Sequence, residues 1–317
     1  MKKFAKVSLI IAGILFAIGC ILGSFSAIAG GGSVIKNIKE KEYFEEKIDA
    51  FTDVIGSAAF YATDGKWGGG FIRGEDGKSV STWSEDAGEI EAAGVRDMEL
   101  QLGAGTFIIE EKEEADGIID ISISGVGNCK YYVDGETLHV EGFEGKWHTL
   151  NMCSDNRIEI RIPKNSSIEE ISIDAGAGIV EISDLVVKEL KLQGGAGQFV
   201  LSDMEVGELN AQIGAGEMEA TGIKAMNAEF SVGMGELRYG GTITGNLDAE
   251  CGMGNMELTL SGKETDHNYE IECAAGNVDI GSFSVSAMAT EKVINNNAAS
   301  NFDIECSMGN ITIDFEN

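Results

Sequence analysis

A fixed period constrains this chain more than any other feature. Gly-Ala-Gly stands at 176–178, 195–197 and 214–216, and Gly-Met-Gly at 233–235 and 252–254. The last glycines, Gly178, Gly197, Gly216, Gly235 and Gly254, follow one another every 19 residues. Self-similarity at such a period marks a solenoid, in which each copy is one supersecondary unit stacked on the next. Seven residues before the last glycine stand Ile171, Leu190, Leu209, Ala228 and Leu247, and five before it Ile173, Leu192, Ala211, Phe230 and Ala249. Two after it come Val180, Phe199, Met218, Leu237 and Met256, and four after it Ile182, Leu201, Ala220, Tyr239 and Leu258. Apolar residues at every second position on both sides of the glycines are two half-buried strands per repeat. The paired glycines (Gly176, Gly195, Gly214, Gly233 and Gly252 precede the last ones) mark a corner. There the backbone needs either positive φ or close approach to the next coil. One repeat cannot bury its own apolar face, whereas stacked copies about 4.8 Å apart can.

The template extends beyond the strict period. Met98, Leu100 and Leu102 lead into Gly103-Ala104-Gly105, followed by Phe107 and Ile109. Downstream, Tyr269, Ile271 and Cys273 lead to Gly276, and Phe302, Ile304 and Cys306 to Gly309. The intervals after Gly254 are 22 and 33 residues, which predicts coils carrying insertions of 3 and 14 residues. The expected fold is therefore all-β: a single-stranded parallel β-helix of about 19 residues and two strands per coil, over 94–317. Residues 94–165 read as irregular first coils, 166–281 as regular coils, 282–300 as an insertion or cap, and 301–317 as the last coil. Within the first part, Ile119, Ile121 and Ile123 alternate, Tyr132 to Val140 reads as a hairpin around Asp134-Gly135, and Ile158, Ile160 and Ile162 form a strand ended by Pro163. Ala287 to Ile294 reads as a short helix, and the insertion is expected to fold over the C-terminal coil and block its edge.

Ahead of the solenoid the chain changes character. Lys2, Lys3 and Lys6 precede an uncharged run from Val7 to about Gly32, long enough to span a membrane. Residues 1–32 are thus expected to be a cytoplasmic start and transmembrane helix, with the rest of the chain outside. A signal peptide cleaved near Ser26-Ala27-Ile28-Ala29 and a lipidated Cys20 are the alternatives. Residues 33–57, with Ile35, Ile38, Ile48, Phe51 and Ile55, read as a juxtamembrane helical stalk. Residues 58–93, rich in Gly, Ser and acids and carrying Trp67 and Trp83, read as a flexible linker.

Charge narrows the partners. The 317 residues carry a net charge of −30, and the first 32 contribute only lysines, so the remainder is more acidic still. Such a chain repels the nucleic-acid backbone, which excludes nucleic acid as a partner. Cationic peptides or a surface ligand fit it better.

With its repeats laid out, the chain resembles the bacterial putative-adhesin-like domain family of unknown function, carried by membrane-anchored proteins of Gram-positive bacteria. The resemblance rests on the strand Ile158 to Ile162 running into Pro163, on Ile171-Ser172-Ile173-Asp174-Ala175-Gly176-Ala177-Gly178, and on the serial Gly-x-Gly coils that follow. It implies a β-helix and an adhesin-like role at the cell surface, and it brings no catalytic residues.

The residues themselves offer little chemistry. Cys251, Cys273 and Cys306 share one inward phase, three before the last glycine, and read as a buried thiol ladder within disulfide reach. Cys129 and Cys153 are a second disulfide candidate. Neither His139, His148 nor His267 is in phase with the ladder, so no metal site is expected. Asn227, Asn246, Asn268 and Asn301 share a phase, as do Asn255, Asn277 and Asn310, and read as asparagine ladders at turns. The calcium-binding nonapeptide needs Asp two residues after its last glycine, where this chain has Phe199. Acids in phase, such as Glu219 and Glu257, are numerous enough to align by chance, and the few bases form no cluster, so neither an enzyme nor a cofactor is expected. The reading is a surface interaction or envelope-structure protein. The alternatives are an envelope stress sensor or decoy for cationic peptides or a protein partner, and a polysaccharide-active enzyme.

Overall fold

The computed structural model describes residues 78–82, 86–124, 127–142, 156–286 and 290–316. The expected anchor, stalk and first part of the linker lie outside the described residues, as do Cys20, Trp67, Trp83, His148 and Cys153. Among the described residues no helix is long and apolar enough to cross a membrane. All described strands belong to one compact unit, Gly74–Asn317. They are all-β apart from two short 3-10 turns, Ala92–Gly94 and Glu264–Asp266.

Among the described residues the strands make nine coils, labelled I to IX in chain order. Coil I is the single strand Asp97–Lys112, coil II is Thr137–Gly142 with Arg157–Pro163, and coil III is Glu170–Ser183. Coil IV is Val186–Gly194 with Gln198–Ser202. Glu205–Ile213 opens coil V, the long strand Glu217–Val232 closes it and opens coil VI, and Glu236–Ile243 completes VI. Coil VII is Leu247–Cys251 with Asn255–Ser261, coil VIII is His267–Cys273 with Asn277–Ile280, and coil IX is Ser300–Cys306 with Asn310–Glu316.

From III to VII the coils stack in parallel, in chain order and at the 19-residue offset: Leu190 faces Leu209, Leu209 faces Ala228, and Ala228 faces Leu247. At both ends the order inverts. Coil I lies between II and III, with Met98 opposite Leu138 on one side and Ile171 on the other. Coil IX lies between VII and VIII, with Phe302 opposite Leu247 and Tyr269. The spatial order is II-I-III-IV-V-VI-VII-IX-VIII, so the coils of Gly254, Gly276 and Gly309 do not stack in chain order. The reason lies at the edges. Coils VIII and IX carry the same apolar phase, so either can stack on VII, but coil VIII brings strands that cover its outer edge.

Those edge strands correct two further expectations. Thr290–Ile294, expected as part of a helix, is a strand antiparallel to His267–Cys273, and Phe283–Val285 runs antiparallel to Asn277–Ile280. Thr290, Val293 and Ile294 are β-branched, which favours the extended form. The insertion covers the edge of coil VIII, not that of the C-terminal coil. At the other end, Lys78–Thr82 and Asp86–Glu91, expected in the flexible linker, are strands antiparallel to Gly127–Asp134 and Ile118–Ser124. Outermost strands are held by backbone pairing and need few apolar side chains; Ile90 supplies one against the core. Among the described residues, antiparallel caps at both ends of the parallel stack leave no long parallel edge open to pairing with another chain.

The core lies between the two strand faces of each coil. The four inward columns before and after the glycines are buried throughout, with Phe199, Phe230 and Phe302 among the largest fully buried side chains. Two more buried columns lie on the return side of the coil: Leu185, Met204 and Ile223, then Val187, Val206 and Ala225. They follow a second corner with left-handed backbone at Asp184 (φ 59°), Asp203 (φ 53°) and Gly222 (φ 73°).

Candidate functional site

The glycine corner is continuous with the sheets. Ala215 N donates to Gly195 O at 2.8 Å, Met234 N to Gly214 O at 2.7 Å, Met253 N to Gly233 O at 2.8 Å and Met308 N to Gly252 O at 2.7 Å. This uninterrupted ladder brings each last glycine over the carbonyl of the coil beneath. A β-carbon on Gly197 would stand 2.7 Å from Gly178 O, and one on Gly309 2.5 Å from Gly254 O. On Gly216, Gly235, Gly254 and Gly276 it would press closer still on the carbonyl oxygens of Gly197, Gly216, Gly235 and Gly309. The first glycines have slightly more room: on Gly195, Gly214, Gly233 and Gly252 the distance is 2.8 Å, and on Gly176 3.5 Å. Coils VIII and IX place Ala274 and Ser307 at that position. Of the corner glycines only Gly105 and Gly178, in register on coils I and III, have positive φ, at 159° and 145°. Close approach between coils, not positive φ, requires glycine here.

Inside the corner, Cys251, Cys306 and Cys273 stand in register, in that spatial order, as buried free thiols. The Cys306 thiol donates to Gly309 O at 3.1 Å. Burial, with Cys251 and Cys273 beside it, pushes the Cys306 thiol up to about 12, and burial raises Cys251 as well. Neutral, enclosed thiols are poor nucleophiles and poor metal ligands. Among the described residues no group of three or more His, Cys, Asp or Glu could hold a metal ion. His267 is buried, stacked on Phe302 with ring centroids 4.0 Å apart, and its Nδ1 lies 2.6 Å from Ser300 Oγ.

The asparagines form a hydrogen-bonded rail along a turn. Asn227 Oδ1 accepts from Asn246 N at 2.9 Å, Asn246 Oδ1 from Asn301 N at 3.0 Å, and Asn301 Oδ1 from Asn268 Nδ2 at 3.1 Å. Asn268 Oδ1 then accepts from Asn296 N in the cap at 3.0 Å. These amides serve turn backbone that would otherwise lack partners, and their work is structural. Asn255, Asn310 and Asn277 also stand in register, just past the glycine corner.

The outward face of the sheet before the corner changes along the stack. Before the corner, Lys188 bridges to Glu169 at 2.6 Å and Lys191 to Glu170 at 2.7 Å; on the return side Lys224 bridges to Glu205 at 2.6 Å, and after the corner Arg238 bridges to Glu217 at 2.8 Å. Arg238 stands in register between Glu219 and Glu257, so those two acids do not face one another as a catalytic pair would. On coils VI to VIII the face becomes carboxylate. One row runs Glu229, Asp248, Asp303, Glu270; the next runs Glu250, Glu305, Glu272 and ends on Glu291 of the cap. Burial, with the charges of Glu305, Asp248, Glu229 and Asp303, pushes the Glu250 carboxyl up to about 7. Desolvation at the sheet surface is the larger cause, and the like charges of the row add to it. Sequence phase alone would have aligned these acids, but with Glu270 and Glu272 in the middle of the rows instead of Asp303 and Glu305.

The fold can be set beside known proteins. A putative cell adhesion protein from Clostridium sporogenes is 18% identical with a TM-score of 0.34, the match covering 74% of this chain and 99% of that one. A putative adhesin from Bacteroides fragilis is 13% identical with a TM-score of 0.42, covering 74% of this chain and 98% of the other. A putative lipid binding protein from Parabacteroides distasonis is 15% identical with a TM-score of 0.36, covering 75% and 98%. No curated protein matches the chain. The family model described as Toastrack DUF4097 matches residues 95–291, more than half of the chain, and the chain belongs to that family.

Proposed function

We propose that this chain is a surface interaction protein, adhesin-like in role, held at the plasma membrane by residues 1–32 with its solenoid outside the cell, and that it works by binding and not by catalysis. The observation that supports a role in binding, whichever partner it serves, is the pair of carboxylate rows on coils VI to VIII. Stacked coils repeat one side chain at a spacing of about 4.8 Å and build long, flat, uniform surfaces. A row of like charges at that spacing costs the isolated protein repulsion, which a polycationic partner relieves. The rows favour one alternative in particular, a sensor or decoy that captures cationic peptides at the envelope. A glycan-binding adhesin has no comparable use for them.

The two are separated by salt. Attraction between exposed charges is screened within about 8 Å at physiological ionic strength, so capture of a cationic peptide weakens steeply as salt rises. The test measures binding of a labelled decalysine peptide to the full-length chain at low and high salt, for wild type and for Asp303→Asn/Glu305→Gln. The expected result is salt-sensitive binding that the variant weakens at least tenfold. Equal binding by the variant, or binding indifferent to salt, would remove the carboxylate rows from the function.

A further inference from the structure

The glycine corner carries another row, independent of the carboxylates. Its middle residue is Ala177, Ala196 and Ala215 on coils III to V, but Met234, Met253 and Met308 on VI, VII and IX. Because coil IX lies between VII and VIII, these three methionines sit on consecutive coils. Met253 N donates to Gly233 O at 2.8 Å and Met308 N to Gly252 O at 2.7 Å, the same step of the ladder each time. Stacking in chain order would have put Ala275 between Met253 and Met308. Met234 is 48% exposed, and Met253 and Met308 are partly exposed. Core packing does not explain them, because Val232, Cys251 and Cys306 already fill the inside of this corner. Met234 and Met253 edge a shallow groove along the corner, and Glu236, Asn255 and Asn310 line the same groove.

We propose that Met234, Met253 and Met308 form a thioether site for a soft monovalent cation, Cu(I) or Ag(I), on the outer surface of the corner. Thioether sulfur is a soft, neutral ligand that favours such ions over calcium, magnesium or manganese. With metal–sulfur bonds near the ~2.3 Å of zinc thiolates, two sulfurs across an ion stand about 4.6 Å apart. The outer two methionines stand two coils, about 9.6 Å, apart at the backbone, so their side chains must bend toward Met253 to share one ion. Methionine has three rotatable bonds, so neighbouring sulfurs can converge without moving the backbone. Glu236, in the same groove, is ion-paired with Arg238, so the neutral thioethers carry the binding. The thiols of the inner ladder are buried on the inside of the corner, and the Cys251→Ala variant tests whether they take the ion instead.

Silver(I), redox-inert and equally soft, is the probe. The full-length chain, labelled with ¹³C at its methionine methyls, is titrated with silver nitrate in chloride-free buffer. Three methyl resonances, assigned to Met234, Met253 and Met308 by single Met→Leu variants, are expected to shift together and saturate at one silver per chain. Met234→Leu/Met253→Leu/Met308→Leu, which keeps size and apolarity, should lose at least tenfold in silver affinity. Met226→Leu, at an exposed methionine outside the row, should lose none. The wild-type methyl shifts do not depend on how any variant folds. Shifts confined to other methionines, unchanged affinity in the triple variant, or loss of binding in Cys251→Ala with the triple variant intact would each overturn the site.

Discussion

Gly214 and Gly216 occupy the same corner, yet they carry different loads. A β-carbon at Gly214 meets the Gly195 oxygen at 2.8 Å, while at Gly216 it presses harder on the Gly197 oxygen and also stands 3.1 Å from Gly197 N and C. Backbone in a parallel ladder yields less readily than a side chain, and overpacking typically costs about 1–3 kcal/mol. Gly216→Ala should therefore cost roughly 2 kcal/mol or more and Gly214→Ala about 1 kcal/mol, read from chemical unfolding; equal losses would contradict the close-approach explanation. Glu250 gives a pH signature. Its folded value of about 7 lies above the ~4.3 of a free glutamate, so its charge opposes folding above neutrality, and stability rises as pH falls towards the unfolded value. His267 acts in the opposite sense: desolvation lowers its pKa, so below about 6.5 the unfolded chain takes the proton first. Glu250→Gln isolates the first effect. Its thermal midpoint should exceed that of wild type at pH 8, and the gap should close by pH 5; a gap independent of pH would remove the repulsion. At this scale the glycine positions were legible in the sequence, whereas the choice between positive φ and close approach was not. The true left-handed corner alternates Asp184, Asp203 and Gly222, a mixed column that does not stand out as glycine.

The elements repeat that pattern of partial legibility. Period-2 alternation placed the strands flanking the glycines because one face is buried and the other wet. The return strand is harder to read in the sequence, although Leu185, Met204 and Ile223 stand at the same 19-residue spacing. Its apolar residues follow a turn and are too few per coil to alternate visibly. Ile223→Ala should cost about 2–5 kcal/mol, as buried truncations do, while Met226→Ala, three residues on and exposed, should stay within about 0.5 kcal/mol; thermal or denaturant unfolding distinguishes them. The end strands leave little trace in the sequence because an outermost strand is held by backbone pairing more than by its side chains. Thr290–Ile294 covers the edge of His267–Cys273. Replacing those five residues with a Gly-Ser segment of equal length should leave that edge open and produce concentration-dependent self-association in sedimentation velocity. A variant that stays monomeric would show that the strand does not guard the edge.

At the scale of the whole molecule, a 19-residue offset determines which residues can share a column but not the order in which coils stack. Coils VIII and IX present the same apolar and glycine phases, so sequence pattern is neutral between them, and the decision falls to the strands that only coil VIII carries. The order has consequences for both surfaces. With IX inside, Asp303 and Glu305 occupy the middle of the carboxylate rows, and Met308 comes next to Met253. The most direct measurement is a pair of engineered disulfides on the outward face. Glu257 on coil VII pairs in register with Thr312 on coil IX, and Thr312 in turn shares its register with Asp279 on coil VIII. Cα atoms on adjacent coils lie within disulfide range, whereas those two coils apart do not. Under mild oxidation, non-reducing peptide mapping should find a near-complete bridge in Glu257→Cys/Thr312→Cys and none in Glu257→Cys/Asp279→Cys. A bridge in the second variant and not in the first would mean that the coils stack in chain order, and both surfaces would have to be redrawn.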